Sequence, residues 1–206
     1  MKRDRAIRIG VIADTHGLYD PAVEAHFAGV REILHAGDIG DPLVLRRLRK
    51  IAPVVAVSGN VDDYEQSGFP RQRLLRRGGV PIAVRHVLYE KGQMTKDARA
   101  WLDRARPAVC VFGHSHRPTI ERYGGTLLFN PGSAGPRRFS LPRGIGLLTI
   151  LHGGVTPRLI SLPDRSGAEG LRSEGYFWRN RSRSGTVKVT KDSKSSSRIK
   201  QRRDNS

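Results

Sequence analysis

The strongest constraint on the fold is a pattern that recurs along the first 130 residues. Apolar, β-branched runs each end in one or two small residues, and a polar residue follows. The runs IRIGVIAD, REILHAGD, APVVAVSGN, PIAVRH and PAVCVFGH lead in turn to Asp14, Asp38, Asn60, His86 and His114. Continuous apolar runs of this length are typical of strands buried on both faces. The sequence therefore predicts several buried strands whose ends carry polar side chains.

Helix-like segments lie between several of these strands. Each begins with a residue that favours a helix N-cap, at Asp20, Asp41 and Thr95. Strands that alternate with short helices indicate βαβ units and a parallel core. From Gly124 onward, Gly-Gly pairs between apolar runs predict antiparallel hairpins. We therefore expect an α+β (mixed α/β) fold with more than one sheet.

The pattern stops near Leu162, which predicts two regions of different character. Residues 1–162 are long enough for one domain with its own core. Residues 163–206 are rich in Ser, Gly, Lys and Arg and hold 12 Lys and Arg against 5 Asp and Glu. Such a segment buries too little apolar surface to offset its ordering entropy. We predict a basic, mostly disordered tail over 163–206.

The positive charge of the chain leaves two interpretations open. The formal net charge is +18, which favours contact with polyanions. Arg outnumbers Lys 29 to 8, which favours coding bias over a binding site as the explanation of the charge on the main domain. In the tail, Tyr176, Phe177 and Trp178 can stack on nucleic acid bases or pack back onto the domain. Nucleic acid bound through the tail is thus one candidate partner, and the oligomeric state stays open.

Cysteine content and hydropathy indicate a compartment. The single Cys110 lies in an apolar run, so no disulfide can form within the chain. The N-terminal apolar run contains Arg8, is short and lacks a cleavage pattern, which predicts a strand and not a signal peptide. No apolar stretch approaches the length of a spanning helix. We expect a soluble, cytoplasmic protein with no membrane contact.

The polar strand ends together indicate a metal site. In open α/β sheets ligands bind beyond the carboxyl ends of the strands. Taken singly, each residue has an ordinary explanation as a cap, a turn or a packed histidine. Together they form a set of carboxylates, imidazoles and an amide without cysteine, which suits Mn, Zn, Ni or Fe. The set is Asp14, His16, Asp38, Asn60, His86, His114 and His116.

This series resembles the calcineurin-like metallophosphoesterase superfamily. The motifs are ADTHG at 13–17, GDIGD at 37–41, GNVDD at 59–63, His86, and GHSH at 113–116. Their short spacings and the GNVD variant are similar to the small bacterial and archaeal phosphodiesterases, the YfcE-like branch. The resemblance covers about residues 6–162.

The resemblance implies a fold, a ligand set and a reaction. The fold would be a four-layer α/β/β/α sandwich of two mixed sheets, the metallo-dependent phosphatase fold. Two divalent ions, Mn first and otherwise Ni, Zn or Fe, would hydrolyse a phosphate ester by in-line attack of a metal-bound hydroxide. One ion would be held by Asp14, His16, Asp38 and His116. The other would be held by Asp38, Asn60, His86 and His114, with Asp38 bridging.

Some residues in and near these motifs have expected roles besides metal binding. The resemblance makes Asn60 a residue that orients the phosphate, and Asp62 a candidate catalytic group. Val61 and Asp62 follow Asn60 at the place where many larger superfamily members carry a histidine, so the source of a proton for the leaving group is open. Arg137 and Arg138 can contact a substrate phosphate or form a solvated basic loop. The motif NPGS at 130–133 shapes the pocket, and His35 packs beside Asp38.

Three functions remain to be compared. The first is a metal-dependent phosphoric ester hydrolase, in particular a phosphodiesterase. The second is a nuclease or other nucleic-acid-directed phosphoesterase recruited by the basic tail. The third, which members of this fold can adopt, is a protein-interaction scaffold without catalysis. The presence of every ligand residue disfavours the scaffold, and the salt dependence of activity would separate the first two functions.

Overall fold

The computed structural model describes residues 5–63, 67–138 and 140–164, together with the backbone of a short strand at Gly175–Tyr176. The rest of the predicted tail lies outside the described residues. Within the described part, no helix is long and apolar enough to cross a bilayer.

A six-stranded sheet, sheet A, contains the first three strands of the chain. β1 (Ile7–Ile12), β2 (Glu32–His35) and β3 (Val54–Ala56) run parallel to one another. β11 (Gly144–Leu151), β12 (Gly154–Ser161) and β13 (Gly175–Tyr176) extend the sheet as antiparallel neighbours beyond β1. The sheet order is β13-β12-β11-β1-β2-β3. The parallel core that the sequence predicts is therefore present, with the later hairpin paired to its first strand.

A five-stranded sheet, sheet B, has the order β4-β5-β8-β10-β9. β5 (Val80–Arg85), β8 (Val109–Val111) and β10 (Thr126–Asn130) are parallel. β4 (Gln72–Arg77) and β9 (Thr119–Tyr123) are antiparallel edge strands. A separate two-stranded ribbon joins β6 (Tyr89–Glu90) and β7 (Gln93–Met94). The strand β4 is a finding that the sequence interpretation lacked, because antiparallel pairs were expected only from Gly124 onward.

The helices begin close to the predicted caps. In α2 (Pro42–Leu48) the Asp41 carboxylate accepts from the Leu43 N–H, and in α3 (Lys96–Ala105) the Thr95 hydroxyl accepts from the Ala98 N–H. Both caps confirm the prediction. The helix α1 (Ala22–Phe27) begins after Pro21, one residue later than predicted, and the Asp20 carboxylate still accepts from the Ala22 N–H.

Three apolar layers hold the elements together. Between the two sheets, Ile9, Val11 and Leu34 of sheet A meet Ile82, Val109 and Phe129 of sheet B. On the outer face of sheet A pack α1 and α2, and on the outer face of sheet B packs α3 through Trp101 and Leu102. Each such side chain contributes about 1.5–3 kcal/mol when it is fully buried. The predicted four-layer α/β/β/α sandwich of two mixed sheets is confirmed.

Candidate metal centre

The loops after five parallel strands converge between the two sheets. Sheet A supplies the loops after β1, β2 and β3, which carry Asp14 with His16, Asp38 and Asn60. Sheet B supplies His86 directly after β5, and the loop after β8 with His114 and His116. Contacts across the sheets join the two groups, since the His114 N–H lies 3.1 Å from both carboxylate oxygens of Asp14. All seven predicted residues thus lie in loops that meet at one edge.

Four of these side chains form a compact group of donors. One ligand atom from each of Asp14, His16, Asp38 and His116 lies within 4.8 Å of the others. Nε2 of His16 is 3.1 Å from Nε2 of His116 and 3.7 Å from Oδ2 of Asp38. Nε2 of His116 is 3.4 Å from Oδ1 of Asp14. Two imidazoles and two carboxylates that face one point form a candidate metal-binding site.

The remaining three predicted ligands adjoin the same carboxylates. Nε2 of His86 lies 3.3 Å from Oδ1 of Asp38 and 4.0 Å from Oδ1 of Asp14. The His114 ring is 5.3 Å from the His86 ring, between centroids. Asn60 is the one exposed member, and its chain neighbour Val61 donates its N–H to Oδ1 of Asp38 at 3.0 Å. The structure therefore places Asn60 beside Asp38 through the backbone of its loop.

Residue His86 gives a direct test of whether the site fits a metal. Its Nδ1 lies 2.8 Å from the Ala36 carbonyl oxygen, which can only accept, so Nδ1 carries the hydrogen. Nε2 is then the lone-pair nitrogen of the neutral ring. This Nε2 is buried and makes no hydrogen bond. A buried nitrogen held towards carboxylates, with its other ring atom fixed by a backbone carbonyl, is the arrangement of a metal-ligating histidine.

Burial and neighbouring charges set the protonation of the centre. Burial by itself raises the pKa of the Asp38 carboxyl, but the adjacent His86 imidazole, the Val61 N–H and His16 hold that pKa well below its usual range. Burial lowers the pKa of His86, and the carboxylates of Asp38 and Asp14 more than offset this, so its pKa is raised. Burial is the main cause of the lowered pKa of His16. The centre therefore keeps its central carboxylate ionised, as ligation requires.

The backbone of the centre is strained at five of the seven residues. Asp14, His16, Asp38, His114 and His116 all have φ between 45° and 68°, in the left-handed region that non-glycine residues rarely adopt. Each such residue costs on the order of 1–3 kcal/mol. Strain of this size persists only where the surrounding contacts determine the conformation, so these loops are fixed by the fold.

Two hydroxyl groups fix the first loop, that of Ser133 in the NPGS motif and that of Thr15, which the sequence analysis did not single out. The Thr15 hydroxyl donates to the Ile39 carbonyl oxygen at 2.9 Å and lies 3.0 Å from Nε2 of His35. Ser133 donates to the Asp14 carbonyl oxygen at 2.8 Å. The only signal for Thr15 was its place between two ligand residues. Burial lowers the pKa of His35 to about 4, so this packed histidine beside the Asp38 loop stays neutral.

The two arginines of the loop after β10 differ in their surroundings. Arg137 forms an ion pair with Asp164. Arg138 is exposed, and its positive charge is among those that lower the pKa of His16. The loop is held to the centre because the Gly135 N–H donates to the Asp14 carbonyl oxygen at 3.0 Å. Of the two residues, Arg138 is therefore the one whose charge acts on a predicted ligand, His16.

Comparison with known families identifies the class of protein to which this fold and this donor set belong. Residues 7–153 match the calcineurin-like phosphoesterase superfamily domain, and the chain belongs to this family. The family predicted from the motifs is confirmed.

Individual relatives are consistent with this assignment. A probable metallophosphoesterase of Methanocaldococcus jannaschii is 39% identical over 133 residues, which are 61% of this chain and 67% of that protein. The fold is similar to that of an archaeal phosphodiesterase, with 19% identity, a TM-score of 0.59, and coverage of 76% of this chain and 100% of that one. It is also similar to Vps29 of Entamoeba histolytica in complex with Zn²⁺, with 22% identity, a TM-score of 0.65, and coverage of 82% and 98%.

Proposed function

We propose that this protein is a phosphodiesterase that acts through two divalent metal ions at the centre between the sheets. The observation that carries the proposal is the set of carboxylate and imidazole donors around Asp38, including the buried Nε2 of His86, which lies 3.3 Å from Oδ1 of Asp38. The archaeal phosphodiesterase with the same fold supports the diesterase class. Manganese is the first candidate ion, and the Zn²⁺ complex of a structural neighbour keeps zinc as an alternative.

The two oxygens of Asp38 support a bridging role. Oδ2 faces Nε2 of His16 at 3.7 Å, and Oδ1 faces Nε2 of His86 at 3.3 Å. We therefore assign one ion to Asp14, His16, Asp38 and His116, and the other to Asp38, Asn60, His86 and His114. Divalent ions bound there would supply the Lewis acidity that activates a water and neutralises charge on the phosphate oxygens.

The protein's own residues supply binding and orientation. The exposed Asn60 amide can donate to a phosphate oxygen while the buried ligands stay fixed. The left-handed loops hold the imidazoles in one geometry before the substrate arrives, which lowers the cost of reorganisation. Arg138, at the rim of the site, adds a cation where the phosphate would enter.

The test of the function is hydrolysis by metal-stripped protein with Mn²⁺ restored. We expect bis(p-nitrophenyl) phosphate to be turned over only with added metal, and faster than p-nitrophenyl phosphate. Faster turnover of the monoester would contradict the diesterase class. Two ions bound per chain without turnover of either ester would indicate a binding protein or a nucleic acid substrate. A steep loss of activity towards oligonucleotides with rising salt would identify the latter.

We predict that Arg138→Ala raises the KM for the diester and changes kcat less. A charge-assisted contact from an exposed guanidinium is expected to change KM roughly three- to tenfold. The matched control is Arg137→Ala, which removes the same charge one residue earlier, where Asp164 pairs with it. Equal KM values for the two variants would show that Arg138 does not bind substrate.

A further inference from the structure

Asp62 ties two of the candidate ligand loops to each other. Its Oδ1 accepts from the Ile39 and Gly40 N–H groups, each at 3.0 Å. Its Oδ2 accepts from the Gly59 N–H at 2.8 Å and lies 3.1 Å from the Ile39 nitrogen. Ile39 and Gly40 directly follow Asp38, and Gly59 directly precedes Asn60. One carboxylate thus links the backbones on which two candidate metal ligands are carried.

A second contact from residues 59–62 also joins this turn to the Asp38 loop. The Val61 N–H donates to Oδ1 of Asp38 at 3.0 Å, so residues 59–62 bind the Asp38 loop through both a side chain and the backbone. Gly59 lies against Asp38 so closely that a Cβ there would be 2.1 Å from the Asp38 nitrogen. Asp62 therefore determines the separation between Asp38 and Asn60.

The same contacts occupy the carboxylate of Asp62. Both of its oxygens already accept from backbone N–H groups, so the hydrogen-bonding capacity of the side chain is used within the two loops. Its oxygens are directed at the loop backbones of residues 39, 40 and 59.

We infer that Asp62 is a positioning residue that fixes the bridging carboxylate relative to Asn60, and that it is not the acid that protonates the leaving group. This inference rests on the proposed function for its kinetic part and replaces the catalytic role expected for Asp62 from the resemblance. It also implies that activity depends on how well the leaving group departs without a proton from this side chain.

The experiment compares Asp62→Asn with Asp103→Asn, at an exposed carboxylate on α3 that is remote from the centre, in the intact 206-residue chain. The Asn variant keeps the shape of the side chain but places an NH₂ group against backbone donors. Loss of such a supporting contact typically costs about 10- to 100-fold in metal affinity or activity. We expect Mn²⁺ affinity, measured by titration calorimetry, to fall by that factor in Asp62→Asn and by less than about twofold in Asp103→Asn.

A second readout separates positioning from acid catalysis. For each variant, the ratio of kcat for an aryl methyl phosphodiester to that for an alkyl methyl phosphodiester is measured across pH. We expect the Asp62→Asn ratio and pH profile to match those of the wild type, although kcat falls. The inference would be overturned if Asp62→Asn selectively lost activity on the alkyl diester and its pH profile no longer showed the decline at high pH. Unchanged Mn²⁺ affinity would also overturn it.

The two readouts still decide the inference if the Asp62→Asn protein is partly unfolded or if the proposed function is wrong. The substrate ratio is a property of the folded molecules alone, so a partly unfolded Asp62→Asn preparation does not alter it. Far-UV circular dichroism gives the folded fraction that corrects the calorimetric stoichiometry. If the wild type hydrolyses no phosphate ester, the proposed function fails, and the positioning role is still decided by Mn²⁺ affinity.

Discussion

Replacing Asp38 by Ala is expected to remove metal binding and activity together, with at least about a 10³-fold loss of kcat/KM. The carboxylate is buried, and each of its oxygens faces a different candidate ligand, His16 or His86. Its removal takes a donor from both proposed ions at once. The measurement is metal content after dialysis against Mn²⁺, combined with steady-state kinetics on the chromogenic diester.

The controls for Asp38→Ala separate charge from position. Asp38→Asn keeps the volume and one carbonyl oxygen, so we expect it to retain partial metal binding with a large loss of activity. Asp103→Ala removes an exposed carboxylate on α3, bonded to the Tyr123 hydroxyl, and should leave both metal content and kinetics near wild type. Full turnover by Asp38→Ala would show that the centre has been assigned to the wrong residues.

Adding one methyl group at Gly59 is expected to have the second largest effect. A Cβ at this position would lie 2.1 Å from the Asp38 nitrogen and 2.3 Å from its Oδ1. Since the first of these atoms is backbone, the loops must separate. Overpacking of this kind costs about 1–3 kcal/mol, which corresponds to a fall in Tm of roughly 3–10 °C. We expect Gly59→Ala also to lose most of its Mn²⁺ affinity.

The matched control is Gly125→Ala in the hairpin between β9 and β10. A Cβ there meets no atom within 4 Å, and its backbone is not left-handed. We expect its Tm and Mn²⁺ affinity to match those of the wild type. Scanning calorimetry of the metal-free proteins measures the first quantity. A Gly59→Ala protein with wild-type Tm and metal affinity would show that the two loops are not held at this contact.

Much of the fold was predictable because its signals are local. The apolar runs before Asp14, Asp38 and His114 identified strands, and the caps at Asp41 and Thr95 identified helices. β4 escaped prediction because this edge strand, with exposed residues such as Arg73 and Leu74, carries no continuous apolar run. The pairing of β11 with β1 joins distant parts of the chain, and no local pattern encodes it.

The candidate site was predictable as a set of residue types and not as a set of contacts. The positions of polar residues at strand ends indicated which side chains converge. The hydrogen bonds of Asp62 depend on how two loops fold against each other, so the family resemblance alone suggested a catalytic role. The difference between Arg137 and Arg138 depends likewise on the position of Asp164, which is remote in sequence.

The placement of the centre between two sheets has a consequence for the fate of the protein in a cell. Neither sheet holds the whole donor set, so an ion would bind the folded chain and not the unfolded one. At a free ion concentration of 100 times Kd, such binding raises the free energy of unfolding by about 2.7 kcal/mol. Chains that open are removed by proteases. Metal scarcity would then lower the amount of this protein as well as its occupancy, and supply of the ion would govern its abundance.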